Sequence, residues 1–359
     1  MRIHMTNIQG LGAVVLVKSL LPEFFGNDRN AVSVIYASPN SECFQHLAME
    51  SNLQTKFYRR WTPNWVSRFF EVTLFSSRFA GQDPILVLGD LPLHGVQRQT
   101  VFVQNSFLTS SLCQLNFTEK IRVFFLQWVF RFAKGAADQF IVQSEHMACE
   151  ISVKYSIPIG EIHVVPQPVP NWLNVYSRGR PRTFLSTDRL NLFYPARNYT
   201  HKNHHLLTNI LKNSPMSQVV SRLVLTIDEQ NNPASHLDWV DCVGEIGPVR
   251  MNEIYSTADA LLFLSSDESF GFPLLEAMQQ GLPIICPNLP YAHSLCGSEA
   301  IFFDTDSIES LENAVSDLHS RLSRGWQPDW SFELKKIPKS WAEVAKEFSR
   351  ITNSRTEGD

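Results

Sequence analysis

Short apolar runs alternate along the whole chain with longer segments whose apolar residues recur every three or four positions. The short runs have the length of β-strands and are bounded by turn-forming residues, whereas the longer segments have the period of helices. Alternation of strands and helices predicts an α/β protein with doubly wound parallel sheets. The predicted strands are residues 2–5, 31–36, 85–88, 101–103, 139–142 and 163–165, then 190–194, 223–227, 240–243, 260–264, 282–286 and 300–303.

A proline-rich stretch interrupts this alternation near the middle of the chain. Prolines between 166 and 181 favour extended backbone, which is typical of a linker between domains. We therefore predict a boundary near 166–188, with one domain over 1–168 and a second over 186–335. Apolar residues at helical spacing predict a last helix near 340–352.

The stretch around Gly271 contains the pattern on which the predicted chemistry depends. The apolar run before it stops at polar loop residues, Pro273 suits the first turn of a helix, and Gly281 is placed to end that helix. The first amides of the helix, near Phe270 and Gly271, then lack partners inside it. A helix N-terminus with free amides is an anion site, and phosphate is its usual occupant.

Two carboxylates flank this predicted anion site. Glu268 lies on the loop before the helix, and Glu276 lies one turn inside it. A carboxylate beside a phosphate is repelled unless it has another target, so we infer that both face hydroxyl groups. Phosphate with hydroxyls on both sides describes a nucleotide sugar. The alternative is that Glu276 supports the helix dipole and Glu268 is solvated.

Two cations follow the predicted strand 190–194. Arg197 and Lys202 lie on a loop between that strand and a helical pattern, so both can reach the crevice at the end of the sheet. There they would neutralise a diphosphate leaving group without a metal ion.

Two other polar clusters invite a metal interpretation. His201, His204 and His205 have no carboxylate or cysteine at ligand spacing, so helix capping and contact with solvent are the expected roles. Asp304 and Asp306 stand between a strand and a helix, where turn and N-cap chemistry explains them better than metal binding. No metal and no cofactor are expected.

The loop after the first strand contains Gly10 and Gly12, which permit close approach of a ligand to the backbone. A full G-x-G-x-x-G is absent, which argues against a nicotinamide dehydrogenase. The predicted strand 101–103 also ends in polar residues, among them Asn105.

The sequence from Glu268 to Glu276, E-S-F-G-F-P-L-L-E, resembles the E-x7-E element of retaining glycosyltransferases of the GT-B class, family 4 (glycosyl transferases group 1). Arg197 and Lys202 match the Arg-x4-Lys pair of that family. The resemblance implies two Rossmann-like domains facing across a cleft, with the last helix returning to the first domain. It also implies that the second domain holds most of the donor.

The same resemblance implies roles for individual residues. Arg197 and Lys202 would stabilise the diphosphate, Glu268 would orient the transferred sugar, and Glu276 would bind ribose hydroxyls. Two positions depart from the family pattern. Gln9 interrupts a Gly-Gly-x-Gly, and Asn105 lies in the region where a donor-facing histidine is usual. Either the amide of Asn105 takes over the contact with the sugar, or the equivalent position lies a residue or two away. The remaining expected donor contacts are Gly12, Asn105, Ile246, Ser269, Phe270 and Gly271.

The expected function is therefore that of a retaining, metal-independent glycosyltransferase of the hexosyltransferase type. It would move a sugar from a nucleotide-diphosphate donor to a glycan or lipid-linked acceptor in cell-surface polysaccharide or glycolipid assembly. Two alternatives remain open: a nucleotide-sugar epimerase or hydrolase of the same two-domain form, and a non-catalytic member that binds sugar nucleotide.

Composition narrows the partners and the compartment. The chain has 359 residues, enough for about two domains, and its net charge of −4 argues against nucleic acid as a partner. Six scattered cysteines without a C-x-x-C pair suit a reduced, cytoplasmic protein. No apolar run is long enough to predict a membrane-spanning helix.

Two stretches combine basic and aromatic residues. The first, 56–79, suits an anionic membrane surface or an acceptor, because rings lie in the membrane interface while lysine and arginine meet headgroups. The second, 120–134, is apolar nearly all round, which predicts a buried helix rather than a second membrane contact. A peripheral position on the inner face of a membrane is therefore expected.

Overall fold

The computed structural model describes residues 1–8, 11–26, 32–38, 54–58, 64–111, 117–173 and 183–354. The chain divides into two compact units. The first unit contains Met1–Pro168 together with Pro338–Asp359, and the second contains Val169–Ile337. Each unit has its own parallel sheet and its own buried core.

The sheet of the first unit has seven described strands in the spatial order β3-β2-β1-β4-β5-β6-β7. All neighbours in it run parallel, and Ile3 at the centre pairs with Ile35 on one side and Leu86 on the other. The order reverses beside β1, as in a doubly wound sheet. The strands are β1 (Arg2–Met5), β2 (Val34–Ala37), β3 (Gln54–Phe57), β4 (Ile85–Val87), β5 (Gln99–Val103), β6 (Gln139–Val142) and β7 (Ile162–Val164).

The helices described in the first unit are α1 (Leu11–Leu20), α2 (Glu23–Gly26), α3 (Asn64–Val72), α4 (Phe117–Ala133), α5 (Glu145–Tyr155) and α12 (Trp341–Asn353). Helix α12 is the last helix of the chain, and the Ser340 hydroxyl caps it by accepting from the Glu343 amide. Phe348 of α12 is fully buried, with its ring centre 5.1 Å from that of Phe102 in β5. The expected return of the last helix to the first domain is confirmed.

Helix α4 corrects one prediction. Residues 120–134 were expected to form a buried helix, but α4 buries one side only, through Val123, Val129, Phe130 and Ala133. The opposite side exposes an aromatic stripe, defined as Phe117, Ile121, Phe124, Trp128 and Phe132, each between 47 % and 76 % exposed. The physical reason is that the core of the unit covers one face of a helix that is apolar on both.

In the part of the chain described, no helix is long and apolar enough to cross a membrane.

The second unit repeats the doubly wound pattern with six described strands in the order β10-β9-β8-β11-β12-β13. All neighbours are again parallel, and the order reverses between β8 and β11. The strands are β8 (Leu190–Tyr194), β9 (Val220–Leu225), β10 (Val240–Cys242), β11 (Ala260–Leu262), β12 (Ile284–Pro287) and β13 (Ile301–Phe303). The helices are α6 (Pro215–Val219), α7 (Pro248–Thr257), α8 (Phe272–Gln279), α9 (Pro290–Cys296), α10 (Ile308–Ser323) and α11 (Ser331–Leu334).

Observed strand ends differ from predicted ones by a few residues. Strand β9 begins at Val220, three residues before its predicted start, because pairing with Leu190 of β8 begins there. The intervening Ser221 and Arg222 are exposed, which hid this part of the strand from a search for apolar runs. Strand β11 ends at Leu262, although the apolar residues after it stay buried.

Candidate functional site

The candidate site lies where the order of the second sheet reverses. Strands β8 and β11 are neighbours, so the loops at their carboxyl ends are adjacent. The first loop carries Arg197 and Lys202, and the second carries Glu268 and Gly271. Ligands of doubly wound sheets bind at this topological position.

Hydrogen bonds join the two loops. The Ser266 amide donates to the carbonyl of His201 over 2.8 Å, and the hydroxyls of Ser265 and Ser266 donate to the same oxygen over 3.2 Å. Two buried tyrosines support the loops from below: Tyr194 donates to the Lys202 carbonyl over 2.7 Å, and Tyr291 donates to the Ser265 carbonyl. The loop that carries the cations is therefore fixed to the loop that carries Glu268.

Lys202 and Glu268 form an ion pair across this junction. The ammonium donates to Oε1 of the carboxylate, and the two side chains are 16 % and 12 % exposed. The ammonium also lies 6.0 Å from the centre of the Phe263 ring. Neither charge is unpaired, which suits their low exposure, since an unpaired charge in such a place is costly.

Arg197 makes a looser ion pair. Its Nη2 lies 2.6 Å from Oε1 of Glu245, and both side chains are more than a third exposed. Exposed pairs of this kind contribute about 0–1 kcal/mol, so the guanidinium can exchange Glu245 for a ligand at low cost. Its Nε is buried and has no hydrogen-bond partner among the described residues.

His204 differs from the expectation of capping or contact with solvent. It is buried, with its ring centre 4.9 Å from that of Tyr194, and neither ring nitrogen has a hydrogen-bond partner within the described ranges. Burial, and then the neighbouring Lys202 cation, lower the pKa of His204 to about 4. The imidazole is therefore neutral near pH 7 and adds no charge to the site.

The N-terminus of α8 has the predicted form. Gly271 is the N-cap at φ 90°, a left-handed conformation that favours glycine, and Pro273 lies in the first turn. No side chain caps the helix, and the amides of Phe270, Gly271 and Phe272 donate to no described residue. These amides can receive an anion, as the sequence pattern indicated.

Glu276 is far more buried than a residue that merely supports a helix dipole. It is 6 % exposed, and its Oε2 accepts a hydrogen bond of 2.7 Å from the hydroxyl of Tyr255 in α7. Burial raises the pKa of Glu276 to about 7, while the bond from Tyr255 opposes that rise. The ionised carboxylate is thus costly in the folded protein, which is typical of functional sites.

Two further predicted residues of this unit flank the site. Ile246 is half-buried and follows the turn at Gly244, whose φ is 71°. Ser269 is half-buried and precedes Phe270. Their contacts with a donor stay predictions.

The remaining two predicted residues belong to the first unit. Gly12 lies in α1, and its neighbours Gln9 and Gly10 fall outside the described residues. Asn105 caps a short turn through Oδ1, which accepts from the Phe107 amide over 3.0 Å. Its own amide donates to Asp90. Their predicted roles toward the donor remain untested.

The acidic pair after β13 has the predicted turn chemistry. Ser307 caps α10 by accepting from the Ser310 amide, and Asp304 accepts from the side-chain amide of Asn288 over 3.1 Å. The described residues contain no cluster of three or more side chains that could hold a metal ion. Metal independence stays a prediction.

Residues 178–321 match the family described as glycosyl transferases group 1. The matched segment, about two fifths of the chain, contains Arg197, Lys202, Glu268 and Glu276. Solved glycosyltransferases resemble the whole chain in fold, so the expected GT-B class, with its two Rossmann-like units, is confirmed.

Particular relatives can also be named. The O-antigen chain mannosyltransferase RfbU of Salmonella typhimurium is 28 % identical over 129 residues, which cover 33 % of this chain and 36 % of that protein. HepE from Anabaena, solved in complex with UDP-glucose, has a TM-score of 0.66 at 12 % identity and matches over 97 % of this chain and 98 % of its own. WaaG, a glycosyltransferase involved in lipopolysaccharide biosynthesis, has a TM-score of 0.62 at 12 % identity over 98 % of this chain and 100 % of its own.

Sequence reasoning missed three buried tyrosines whose hydroxyls bond to residues of the site. Tyr194, Tyr255 and Tyr291 lie in apolar patterns that predict core positions, and they are indeed buried. Their hydroxyls, however, bond to site residues that are 8, 21 and 26 positions away. The only available signal was that a buried tyrosine needs a partner for its hydroxyl.

We predict that Glu276→Gln stabilises the second unit in a pH-dependent way. The folded-state pKa of about 7 lies above the ordinary 4.5, so the folded wild type loses stability as pH rises between these values. The neutral amide avoids this cost, which is roughly 3 kcal/mol at most. Thermal midpoints at about pH 5 and about pH 8 test the prediction. Glu276→Gln should exceed wild type at the higher pH only, and the exposed Glu253→Gln should follow wild type at both. An equal difference at both pH values would contradict the burial argument.

Proposed function

We propose that the protein is a retaining, metal-independent glycosyltransferase of the hexosyltransferase type. It moves a sugar from a nucleotide-diphosphate donor to a glycan or lipid-linked acceptor during assembly of a cell-surface polysaccharide or glycolipid. The Lys202–Glu268 ion pair beside the open N-terminus of α8 carries this proposal, because a phosphate-binding cation stands next to a hydroxyl-binding carboxylate. The UDP-glucose bound to HepE and the mannosyl transfer in the name of RfbU support the same substrate class.

Donor binding would exchange the partners of these charges. Lys202 turns from Glu268 to the diphosphate, and Glu268 then accepts hydrogen bonds from hydroxyls of the sugar. Arg197 leaves its weak pair with Glu245 and meets the same diphosphate. A nucleotide without its sugar would leave Glu268 unpaired in a poorly exposed position, which is costly. The site therefore favours the complete donor over the nucleotide product.

The reaction breaks the bond between the anomeric carbon of the sugar and an oxygen of the diphosphate. The same carbon forms a bond to the acceptor oxygen, and the leaving phosphate oxygen takes the proton of the acceptor hydroxyl. Lys202, Arg197 and the amides at Gly271 stabilise the charge that develops on the leaving group. Retention is inferred from the resemblance of the Glu268 to Glu276 segment to the E-x7-E element.

Two other functions would use the same donor site. A nucleotide-sugar epimerase or hydrolase would release an altered donor or free sugar without any acceptor. A non-catalytic member would bind the donor and leave it intact. The non-catalytic alternative is less favoured because Lys202 is held where it can stabilise a leaving group. The epimerase or hydrolase is less favoured because the named relatives are transferases.

The aromatic stripe of α4 supports a place on the cytoplasmic surface of an anionic membrane. Its outer members are 15 residues apart, so the stripe is about 22 Å long. Ring contacts continue the aromatic stripe onto α3. The ring centre of Trp128 lies 6.1 Å from that of Phe69, and the ring centre of Phe69 lies 5.7 Å from that of Phe70. A surface of this kind lies in the interface of a bilayer with its rings at headgroup depth.

The charges along α4 favour an anionic surface over an apolar protein partner. Lys120, Arg122 and Arg131 outnumber Glu119 within the helix, and Arg122 and Arg131 are exposed. The Arg78 guanidinium lies 4.8 Å from the centre of the Phe75 ring, which lies 6.2 Å from the centre of the Phe70 ring. Of the first basic and aromatic stretch, Arg59 and Arg60 lie outside the described residues. The proposal therefore rests on α4 and on the exposed rings of Phe70 and Phe75.

We predict that Lys202→Ala loses sugar transfer. Removal of a preorganised cation from the leaving group costs on the order of 10²–10³ in kcat. Transfer of radiolabelled sugar from UDP-glucose and from GDP-mannose into a bacterial glycolipid extract measures this loss, with the exposed Lys212→Ala as control. Full turnover by Lys202→Ala would remove the proposed role. Release of free sugar by wild type without the extract would favour the hydrolase.

We also predict that the protein floats with anionic vesicles through the aromatic stripe. Wild type should float with phosphatidylglycerol vesicles and much less with phosphatidylcholine vesicles, since both rings and cations contribute. Phe117→Ser/Phe124→Ser/Phe132→Ser should lose flotation without losing thermal stability, because these side chains are exposed. Phe332→Ser, which changes an exposed ring of the second unit, is the matched control. Flotation of the triple variant at the wild-type level would contradict the proposal.

A further inference from the structure

Tyr255 makes one side-chain hydrogen bond to the described residues. The side chain is fully buried, and its ring lies edge-on to that of Phe193 in β8, with centres 5.0 Å apart and planes at 83°. Among the described residues, its hydroxyl bonds to Glu276 alone, over 2.7 Å. Burial, and then the adjacent carboxylate, raise the pKa of Tyr255 well above its usual value. The phenol therefore donates, and Oε2 of Glu276 accepts.

The second oxygen of Glu276 is left over. No described residue donates a hydrogen bond to Oε1, although the side chain is more than nine-tenths buried. Oε1 is not among the fully enclosed polar atoms without a partner in the described residues, so water or a ligand hydroxyl can reach it. Glu276 lies in α8, two turns or less from the open amides at Gly271, so a ligand held by those amides is within reach of it.

We infer that Tyr255 is a positioning residue of the donor site, which holds Oε2 of Glu276 so that Oε1 is presented to a ribose hydroxyl of the nucleotide. This inference rests on the proposed function and adds a residue that the E-x7-E resemblance does not contain. Tyr255 does not touch the donor. It acts by fixing the direction of the carboxylate and by favouring its ionised form, because a donated hydrogen bond stabilises a carboxylate.

A pH dependence follows from this arrangement. The ionised carboxylate accepts stronger hydrogen bonds than the neutral acid, so donor affinity should rise with pH through the pKa of Glu276, which burial raises to about 7. The bond from Tyr255 lowers that pKa. Its removal should therefore move the midpoint of the affinity profile to higher pH.

The other titratable groups packed near α8 do not account for such a shift. Cys286 of β12 and Tyr291 and Cys296 of α9 are buried and act on one another, and Tyr291 also senses Glu268. His293 of α9 is exposed and bonds to Asn288. The pKa of Glu276 responds to burial and to Tyr255.

The test is the dissociation constant of the intact donor, UDP-glucose or GDP-mannose, measured by calorimetry from about pH 5.5 to about pH 8.5. These compounds carry a diphosphate diester, which does not titrate in this range. Wild type should bind more tightly as pH rises, with a midpoint near the pKa of Glu276. Tyr255→Phe should bind roughly threefold to tenfold more weakly than wild type at about pH 6.5 and by a clearly smaller factor at about pH 8.5. Glu276→Gln should bind weakly at every pH.

Two comparisons separate positioning from general damage. Tyr155→Phe removes one hydroxyl bond from a buried tyrosine of the first unit, to the Leu108 carbonyl, and should keep the wild-type profile. If Tyr255→Phe does not fold, 3-fluorotyrosine at position 255 is a stronger donor and should lower the midpoint. An equal loss of affinity at all pH values, or an unchanged midpoint in both variants, would overturn the inference. Wild type that binds neither donor at any pH would overturn the proposed donor site as well.

Discussion

The carbonyl of His201 is the acceptor on which the candidate site depends. Three donors from Ser265 and Ser266 converge on it and join the loop after β8 to the loop after β11. The sheet order makes these loops neighbours, and the bonds set their register. Lys202 and Glu268 meet because Lys202 directly follows His201 and Glu268 lies two residues after Ser266. A cation that must act on a leaving group needs such a fixed position, since small displacements of catalytic groups are costly.

The site holds charge in places where charge is unfavourable. The opposite charges of Lys202 and Glu268 compensate each other, and His204 stays neutral near Lys202. Glu276 accepts one hydrogen bond among the described residues, from the phenol of Tyr255. Each arrangement lacks one partner that a nucleotide sugar offers: phosphate for the cation, sugar hydroxyls for Glu268, and ribose for Glu276. In the proposed function, stability given up in the free protein is recovered on donor binding, which makes binding selective for the complete donor.

The sequence predicted the parts of the fold and site that are written locally. Pro273 and Gly281 bound a helix because proline suits its first turn and glycine follows its last, and the open amides at Gly271 follow from the same pattern. Alternating strands and helices predicted two doubly wound sheets, and the GT-B class is confirmed. Contacts between distant residues were not predictable: nothing near Tyr255 or His204 indicates which side chain each one meets. The prediction that α4 is buried on all sides was wrong for a related reason. An apolar pattern does not indicate which face of a helix the core covers.

In the proposed function, the second unit binds a nucleotide sugar through Arg197, Lys202 and α8 without a metal ion. The most direct test is the thermal midpoint with UDP, GDP, ADP and their sugar forms, in EDTA and in Mg²⁺. A ligand of the folded state at about a hundredfold excess over its dissociation constant adds about 2.7 kcal/mol of stability. We expect one nucleotide, and its sugar form more strongly, to raise the midpoint equally with EDTA and Mg²⁺, and Arg197→Ala to reduce that rise. No rise with any nucleotide, or a rise that requires Mg²⁺, would contradict metal-independent donor binding at this site.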